Sequence, residues 1–256
     1  MITIKTENEI QIMKEGGKIL AAAIKELEKM VKPGVTTMEL DKAAEAFILS
    51  RGAKPAFKGY EGFPYSLCAS VNENIVHGFP SDYALKNGDL VKLDLGVLYK
   101  GFNTDSATTV AVGSFSAKGG PASGWEAKRL ISATKKSLRL GVKKAKIGNT
   151  VGDIGNTIQR FIEDQGFSIV RDLCGHGIGK TVHEDPKVLN YGKRGTGEKL
   201  VEGMVICIEP IVAMGDSTLR KSDDGYGYAT KDNSLSAHFE HTIAITKKGP
   251  QVLTDL

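Results

Sequence analysis

Apolar side chains recur at alternating steps of three and four from Ile10 through Met13, Gly17, Leu20, Ile24 and Leu27 to Val31, the spacing of one buried stripe along an α-helix. Thr6 and Glu9 stand ahead of that stripe as a capping box, and Pro33-Gly34 closes it. Thr36 and Glu39 form a second capping box, opening a helix that runs to about Arg51-Gly52. From 60 to 112 the pattern changes to strand-like apolar runs, hairpin turns and irregular segments. Leu90 to Val97 and Phe102 to Val112 read as strands, with Lys100-Gly101 between them as a two-residue turn. Gly113 to Gly124, which holds Gly119, Gly120 and Pro121, reads as a loop, and a surface insertion accounts for it.

Beyond that loop the pattern restarts. Gly34, Thr36, Glu39, Leu40, Phe47, Ile48 and Gly52 find counterparts 114 residues later in Gly148, Thr150, Asp153, Ile154, Phe161, Ile162 and Gly166. Matches in register that include the cap and the terminal glycine point to an internal duplication. The expectation is one α+β domain over 1–256, built as two similar halves of about 1–118 and 119–256 that face each other across a seam.

Composition narrows the class. The chain has 256 residues, 41% hydrophobic and 25% charged, enough for a substantial core in one large or two small domains. A net charge of +4 is mild and is no argument for DNA. Cys68, Cys174 and Cys207 form no CxxC pair and leave an odd count, so a disulfide framework is not expected and a reducing cytoplasm is. The first residues lack the apolar core of a secretory signal, and no stretch approaches the ~20 apolar residues of a membrane helix; a membrane protein is not expected.

The chemistry concentrates in Asp94, Asp105, His176, Glu209 and Glu240, each set in an apolar or glycine-rich segment. A buried carboxylate must be paired, protonated or metal-bound, and a dinuclear metal site would satisfy all of these groups together. If Lys100-Gly101 is the turn, Gly96 pairs with Asp105. Asp94 and Asp105 then share a face as diagonal neighbours, about 7 Å apart. Two such carboxylates can hold one metal or bridge a pair ~3.5–4 Å apart; for Asp105 alone, a turn-capping aspartate is the competing reading. His176 lies between Gly175 and Gly177, which permit close approach. Glu209 ends an apolar run before Pro210, and Glu240 enters the strand His241 to Thr246; either could alone be an edge charge. One nitrogen and four carboxylates suit Mn, Fe(II), Co or Zn, and Mg less well because it keeps more waters. His77 and His183 stand in similar settings.

These motifs resemble those of the methionine aminopeptidases of the short, type I form, within the pita-bread metallopeptidases. The resemblance spans essentially the whole chain and rests on Asn72 to Gly78 around His77, Asp94 with Asp105, Gly175 to Gly179 around His176 with His183 following, Ile208-Glu209-Pro210, and Ser234 to Ala237 followed by Glu240-His241-Thr242. It implies the pita-bread (creatinase/aminopeptidase-like) fold, α+β, with two pseudo-symmetric halves around a dinuclear metal site. It further implies hydrolytic removal of the initiator methionine from nascent proteins and peptides with a small second residue, by a water that two divalent ions (Co, Mn, Fe or Zn) activate. By similarity Asp94, Asp105, His176, Glu209 and Glu240 would be the metal ligands. Glu209 would also move the proton, His183 would hydrogen-bond the substrate carbonyl, and His77 would steady the scissile nitrogen. Tyr60, Phe63, Cys68 and Tyr226, with Phe57 and Val182, would form the methionine pocket. Phe57 stands where the family commonly has cysteine, Val182 where it has phenylalanine and Tyr226 where it often has tryptophan, so an apolar pocket of altered shape is expected.

The resemblance also implies a cytoplasmic monomer that acts on nascent polypeptide N-termini. Aminopeptidase P and prolidase share the metal pentad but usually carry an added N-terminal domain, for which the position of His77 leaves no room. A non-enzymatic module of this fold would lack a ligand, and none is missing. Lastly, Lys128, Arg129, Lys135, Lys136, Arg139, Lys143 and Lys146 fall within an arc of about 120° of a helix over 125–146. Such an arc is either a solvated face or an electrostatic contact with ribosomal RNA.

Overall fold

The computed structural model describes residues 2–114 and 124–255. The loop expected at Gly113 to Gly124, and with it the boundary between the halves, falls almost entirely outside the described residues. Helix α1 covers Glu7–Met30 and α2 covers Thr37–Ser50. Each opens on its capping box: Thr6 Oγ1 accepts from the Glu9 N–H while a Glu9 carboxylate oxygen accepts from the Thr6 N–H, and Thr36 and Glu39 repeat the exchange. The stripe Met13, Gly17, Leu20, Ile24 and Leu27 is buried. Helices α3, Gly124–Lys144, and α4, Val151–Asp164, belong to the second half.

Helices α2 and α4 are both 14 residues long, begin 114 residues apart and carry the same capping box, with Thr150 and Asp153 in the second. Gly34 and Gly148, before the helices, have φ of 91° and 89°, while Gly52 and Gly166, after them, have 71° and 78°. These are left-handed conformations that glycine adopts without the steric cost a Cβ would bring. Isolated bridges add a further match, joining Thr36 to Ala84 and Thr150 to Lys199. From these correspondences we propose a single domain of two duplicated halves.

Each half has its own sheet and core. In the first, Leu90–Tyr99 is central, with Phe102–Ala111 on one side and Lys54–Pro55 and Leu67–Val71 end to end on the other. Leu20, Leu27, Leu40 and Ile48 of α1 and α2 pack on Leu67, Leu93 and Leu95. In the second half the strand order is Gly249–Val252, His241–Thr246, Val205–Ile208, Gly175–Gly177, Glu184–Val188. Leu130 and Leu138 of α3 and Ile154 and Ile158 of α4 join Ile206 and Ile243 there. Each such fully buried side chain contributes about 1.5–3 kcal/mol of transfer free energy. Two three-stranded sheets complete the fold. One is built from Ser236–His238, Ile211–Ala213 and Ser168–Ile169, the other from Leu219–Lys221, Tyr228–Thr230 and Asn74–Val76.

The halves meet along a hydrogen-bonded seam. Thr242 Oγ1 accepts from the Asp105 N–H at 2.9 Å and donates to the Asp105 carbonyl at 2.8 Å. Thr109 Oγ1 brackets His238 in the same way, accepting from its N–H at 2.9 Å and donating to its carbonyl at 2.7 Å. Between these brackets Ser106 Oγ donates to the Glu240 carbonyl, and the Glu240 N–H donates to the Ala107 carbonyl. Backbone groups that a sheet edge would leave unpaired are thereby satisfied by side-chain hydroxyls.

Candidate metal centre

Asp94 and Asp105 come from the central hairpin of the first half. Lys100 and Gly101 form its turn with φ of 47° and 84°, and the register pairs Tyr99 with Phe102 and Gly96 with Asp105. Both aspartates therefore point into the seam. His176 is the middle residue of Gly175–Gly177. A Cβ added at Gly175 would lie 2.3 Å from the Cys207 carbonyl oxygen, and one at Gly177 would lie 2.1 Å from that of Asp185. Only glycine lets the neighbouring strands close around the imidazole. Glu209 follows Val205–Ile208, and its carbonyl accepts from Asn190 Nδ2 at 2.8 Å. Glu240 directly precedes His241–Thr246 and sits on the seam.

The resulting cluster is tight. His176 Nε2 lies 3.6 Å from Glu209 Oε1 and 3.9 Å from both Asp105 Oδ2 and Glu240 Oε1. His176 Nδ1–H donates to the Gly177 carbonyl at 2.8 Å, which leaves the Nε2 lone pair facing the carboxylates. Burial raises the pKa of Asp94 and lifts those of Asp105, Glu209 and Glu240 well above the usual carboxylate range, with repulsion among the acids adding to it for the last three. Burial also lowers His176 to about 4, with His183 adding to the effect, so protonated imidazoles do not balance the acids at neutral pH. Asp94 Oδ1, Asp105 Oδ1 and Glu240 Oε1 are buried without a hydrogen-bond partner. Each such orphan costs about 1–3 kcal/mol or more. Ligand atoms of Asp94, Asp105 and Glu240, and likewise of His176, Cys207 and Glu240, lie within 4.8 Å of one another. The donor set fits divalent cations.

A pocket of about 550 Å³ of empty space opens on this cluster. It brings together every residue expected at the site: the metal-ligand candidates, His77, His183, and Phe57, Tyr60, Phe63, Cys68, Val182 and Tyr226. Phe57, Phe63, Cys68 and Val182 form one buried apolar group. Cys68 pairs with Asp94 across the sheet, and burial, reinforced by that carboxylate, holds its thiol protonated. Tyr226 stacks on Phe79 at 5.0 Å between ring centroids, and Asp224 fixes the loop by accepting from the N–H groups of Tyr226, Gly227 and Phe79. The Tyr60 hydroxyl and His183 Nδ1 share a hydrogen bond at 3.1 Å. His77, at φ 58°, has its pKa lowered to about 4 by burial, with His183 adding to the shift, and is neutral at pH 7.

Sequence reasoning missed Glu61, which lines the mouth of the pocket, and Lys92, which is buried and donates to the Asn72 carbonyl at 2.6 Å. Burial lowers the Lys92 pKa to about 7. It also missed His238, whose Nε2 lies 3.4 Å from Glu209 Oε2. The available signal was its spacing of two from Glu240, which puts both on one face of an extended chain.

Residues 11–247 match the profile of the family described as metallopeptidase family M24. A protein named methionine aminopeptidase from Clostridium perfringens (strain 13 / Type A) is 50% identical over 254 residues, 99% of each chain. The crystal structure of methionine aminopeptidase from Thermotoga maritima superposes with a TM-score of 0.95 at 41% identity, covering 100% of both chains. The prolidase from Pyrococcus horikoshii OT3 gives a TM-score of 0.78 at 28% identity, over 98% of this chain but 63% of that one. The likeness to these solved structures gives the fold as pita-bread, with the mixed helix and sheet content described above.

Proposed function

The chain belongs to metallopeptidase family M24, and from that premise we propose that it hydrolytically removes the N-terminal methionine from nascent proteins and peptides, preferring a small second residue. The observation that carries this reading is a pocket in which an apolar wall adjoins a cluster of four carboxylates and neutral imidazoles. The prolidases share the fold, but the full-length match to methionine aminopeptidases favours methionine over proline chemistry.

Asp94, Asp105, His176, Glu209 and Glu240 would hold two divalent ions, of Co, Mn, Fe or Zn. When bound, such a pair supplies the Lewis-acid charge that acidifies water to a pKa near ~7 and polarises an amide carbonyl. The chain's own residues supply the rest. Phe57, Tyr60, Phe63, Cys68, Val182 and Tyr226 enclose the unbranched thioether side chain and exclude water from it. Glu209, as a carboxylate, accepts a proton from water and returns it to the departing amine. His183 donates to the substrate carbonyl as charge develops there, its ring held by the Tyr60 hydroxyl. His77, neutral at pH 7, hydrogen-bonds the scissile amide nitrogen.

The test is release of methionine from a Met-Ala-Ser peptide beside an X-Pro peptide. Asp94→Ala and Glu240→Ala are expected to lose bound metal and methionine release together. His77→Ala is expected to keep metal and lose ~10²–10³ in rate. Full activity of metal-depleted Asp94→Ala, or cleavage of the X-Pro peptide alone, would overturn the reading.

The unpaired state of Cys68, Cys174 and Cys207 supports a cytoplasmic setting, and no helix among the described residues is long and apolar enough to cross a membrane. A monomer is the proposed state. Exposed Lys128, Lys135, Lys136, Arg139, Lys143 and Lys146 on and just after α3 support a contact with ribosomal RNA. Arg129 is engaged within the fold instead: it donates to the Gln165 carbonyl at 2.7 Å and stacks over Trp125 and Phe167.

A further inference from the structure

His238 is only 1% exposed, and neither of its ring nitrogens has a hydrogen-bond partner. A buried imidazole always carries at least one N–H donor or lone pair that water would otherwise satisfy, so an orphan of this kind marks a missing partner. Its surroundings name the kind of partner. His238 Nε2 lies 3.4 Å from Glu209 Oε2 and 4.0 Å from Glu240 Oε2. His176 Nε2 lies 3.6 Å and 3.9 Å from the Oε1 atoms of the same two glutamates. The two imidazoles thus address opposite oxygens of one glutamate pair. Ligand atoms of Glu209, His238 and Glu240 all lie within 4.8 Å of one another.

We propose that His238 is a metal ligand, a second nitrogen donor facing His176 across the Glu209–Glu240 pair. The proposal rests on the metal-centre reading above and extends it. The position is built rather than accidental. Thr109 clamps both backbone groups of His238 at the end of Ser236–His238, and the ring faces the Glu240 carboxylate, Nε2 lying 4.0 Å from Oε2. The other buried base nearby, Lys92, is already engaged by the Asn72 carbonyl. A centre with two imidazoles and four carboxylates is softer than one with a single imidazole. It favours Zn or Fe over Mn more strongly than the carboxylate-rich set read from the sequence.

X-ray absorption of the zinc-loaded, unmodified protein tests this directly. Two histidine ligands over two metals give one imidazole per metal, whereas His176 alone gives one half. Calorimetric titration of chelator-treated protein with Zn(II) is expected to show two binding events. In His238→Gln, close in shape but a weak ligand, one of the two is expected to weaken about 10–100-fold, with the unfolding midpoint of the metal-free protein little changed. One half imidazole per metal, or both affinities in His238→Gln within twofold of the unmodified protein, overturns the proposal and leaves the metal centre standing. No binding by the unmodified protein overturns both. Because the absorption measurement needs no variant, poor folding of His238→Gln would not shield the proposal.

Discussion

At Glu240 the physics of charge and of folding pull in opposite directions. Its carboxylate is buried, 2% exposed, with Oε1 unpartnered, and burial followed by repulsion from Glu209 and Asp94 raises its pKa well above the ordinary value. With metal removed, the folded chain binds protons on such groups more tightly than the unfolded chain does. Stability therefore falls as pH rises from the ordinary carboxylate range through the raised values. Above pH ~6.5 the buried histidines are silent, since His77 and His176 are lowered to about 4. The carboxylates' contribution to the stability of metal-free protein is thus expected to fall as pH rises above the ordinary carboxylate range, with the buried Lys92, lowered to about 7, opposing it above that pH. Glu240→Gln is expected to flatten that slope and to stabilise the metal-free form at pH 8 by on the order of 1–3 kcal/mol, while abolishing metal binding. Urea unfolding with and without chelator checks both signs; a Glu240→Gln protein less stable than its parent without metal would refute the account. At this scale His238 offered only its spacing of two from Glu240, because a lone histidine beside Phe239 in a three-residue strand carries no periodic signal of its own. Only the contact with Glu209, 29 positions away in sequence, gives it meaning.

Element by element, local rules worked where they were self-contained. Two capping boxes and a 3.6-residue stripe delimit α1 and α2 to within a few residues, and period two with a Lys-Gly turn sets the register that aligns Asp94 with Asp105. The seam could not be read this way. Thr242 reaches Asp105 across 137 positions and Thr109 reaches His238 across 129, and no local pattern encodes a hydroxyl replacing a strand partner. The pocket positions show the same limit. A Cβ at Gly96 would lie 2.6 Å from Phe57 Cε1, so the large Phe57 depends on a glycine one strand away, with Val182 the smaller neighbour in the same apolar group. For the seam we expect Thr242→Val, which preserves shape, to leave both backbone groups of Asp105 unpaired. Unfolding should show a loss of about 1–3 kcal/mol, metal titration a weaker site, and Thr242→Ser should restore both. A Thr242→Val protein as stable as the parent would show that the bracket is not needed.

The basic face of α3 belongs to the whole molecule, since Lys135, Lys136 and Lys143 are exposed and none lines the pocket at the metal cluster. Reversing these three charges to glutamate is expected to weaken salt-sensitive ribosome association in co-sedimentation, because each lost phosphate contact lowers the salt slope by about one. Hydrolysis of Met-Ala-Ser is expected to stay within twofold. Ribosome association that is unchanged by the reversal would end this reading.

The seam has a consequence for quality control. Asp94 and Asp105 come from one half and His176, Glu209 and Glu240 from the other, while Thr242 and Thr109 weld the two backbones beside them. Neither half alone and no half-docked intermediate brings all of these donors together. Ion capture would therefore follow docking, and because ions that bind only the finished form stabilise it by mass action, capture would also lock it. A peptidase that meets other chains as they emerge would in this way stay inert until its own folding is complete.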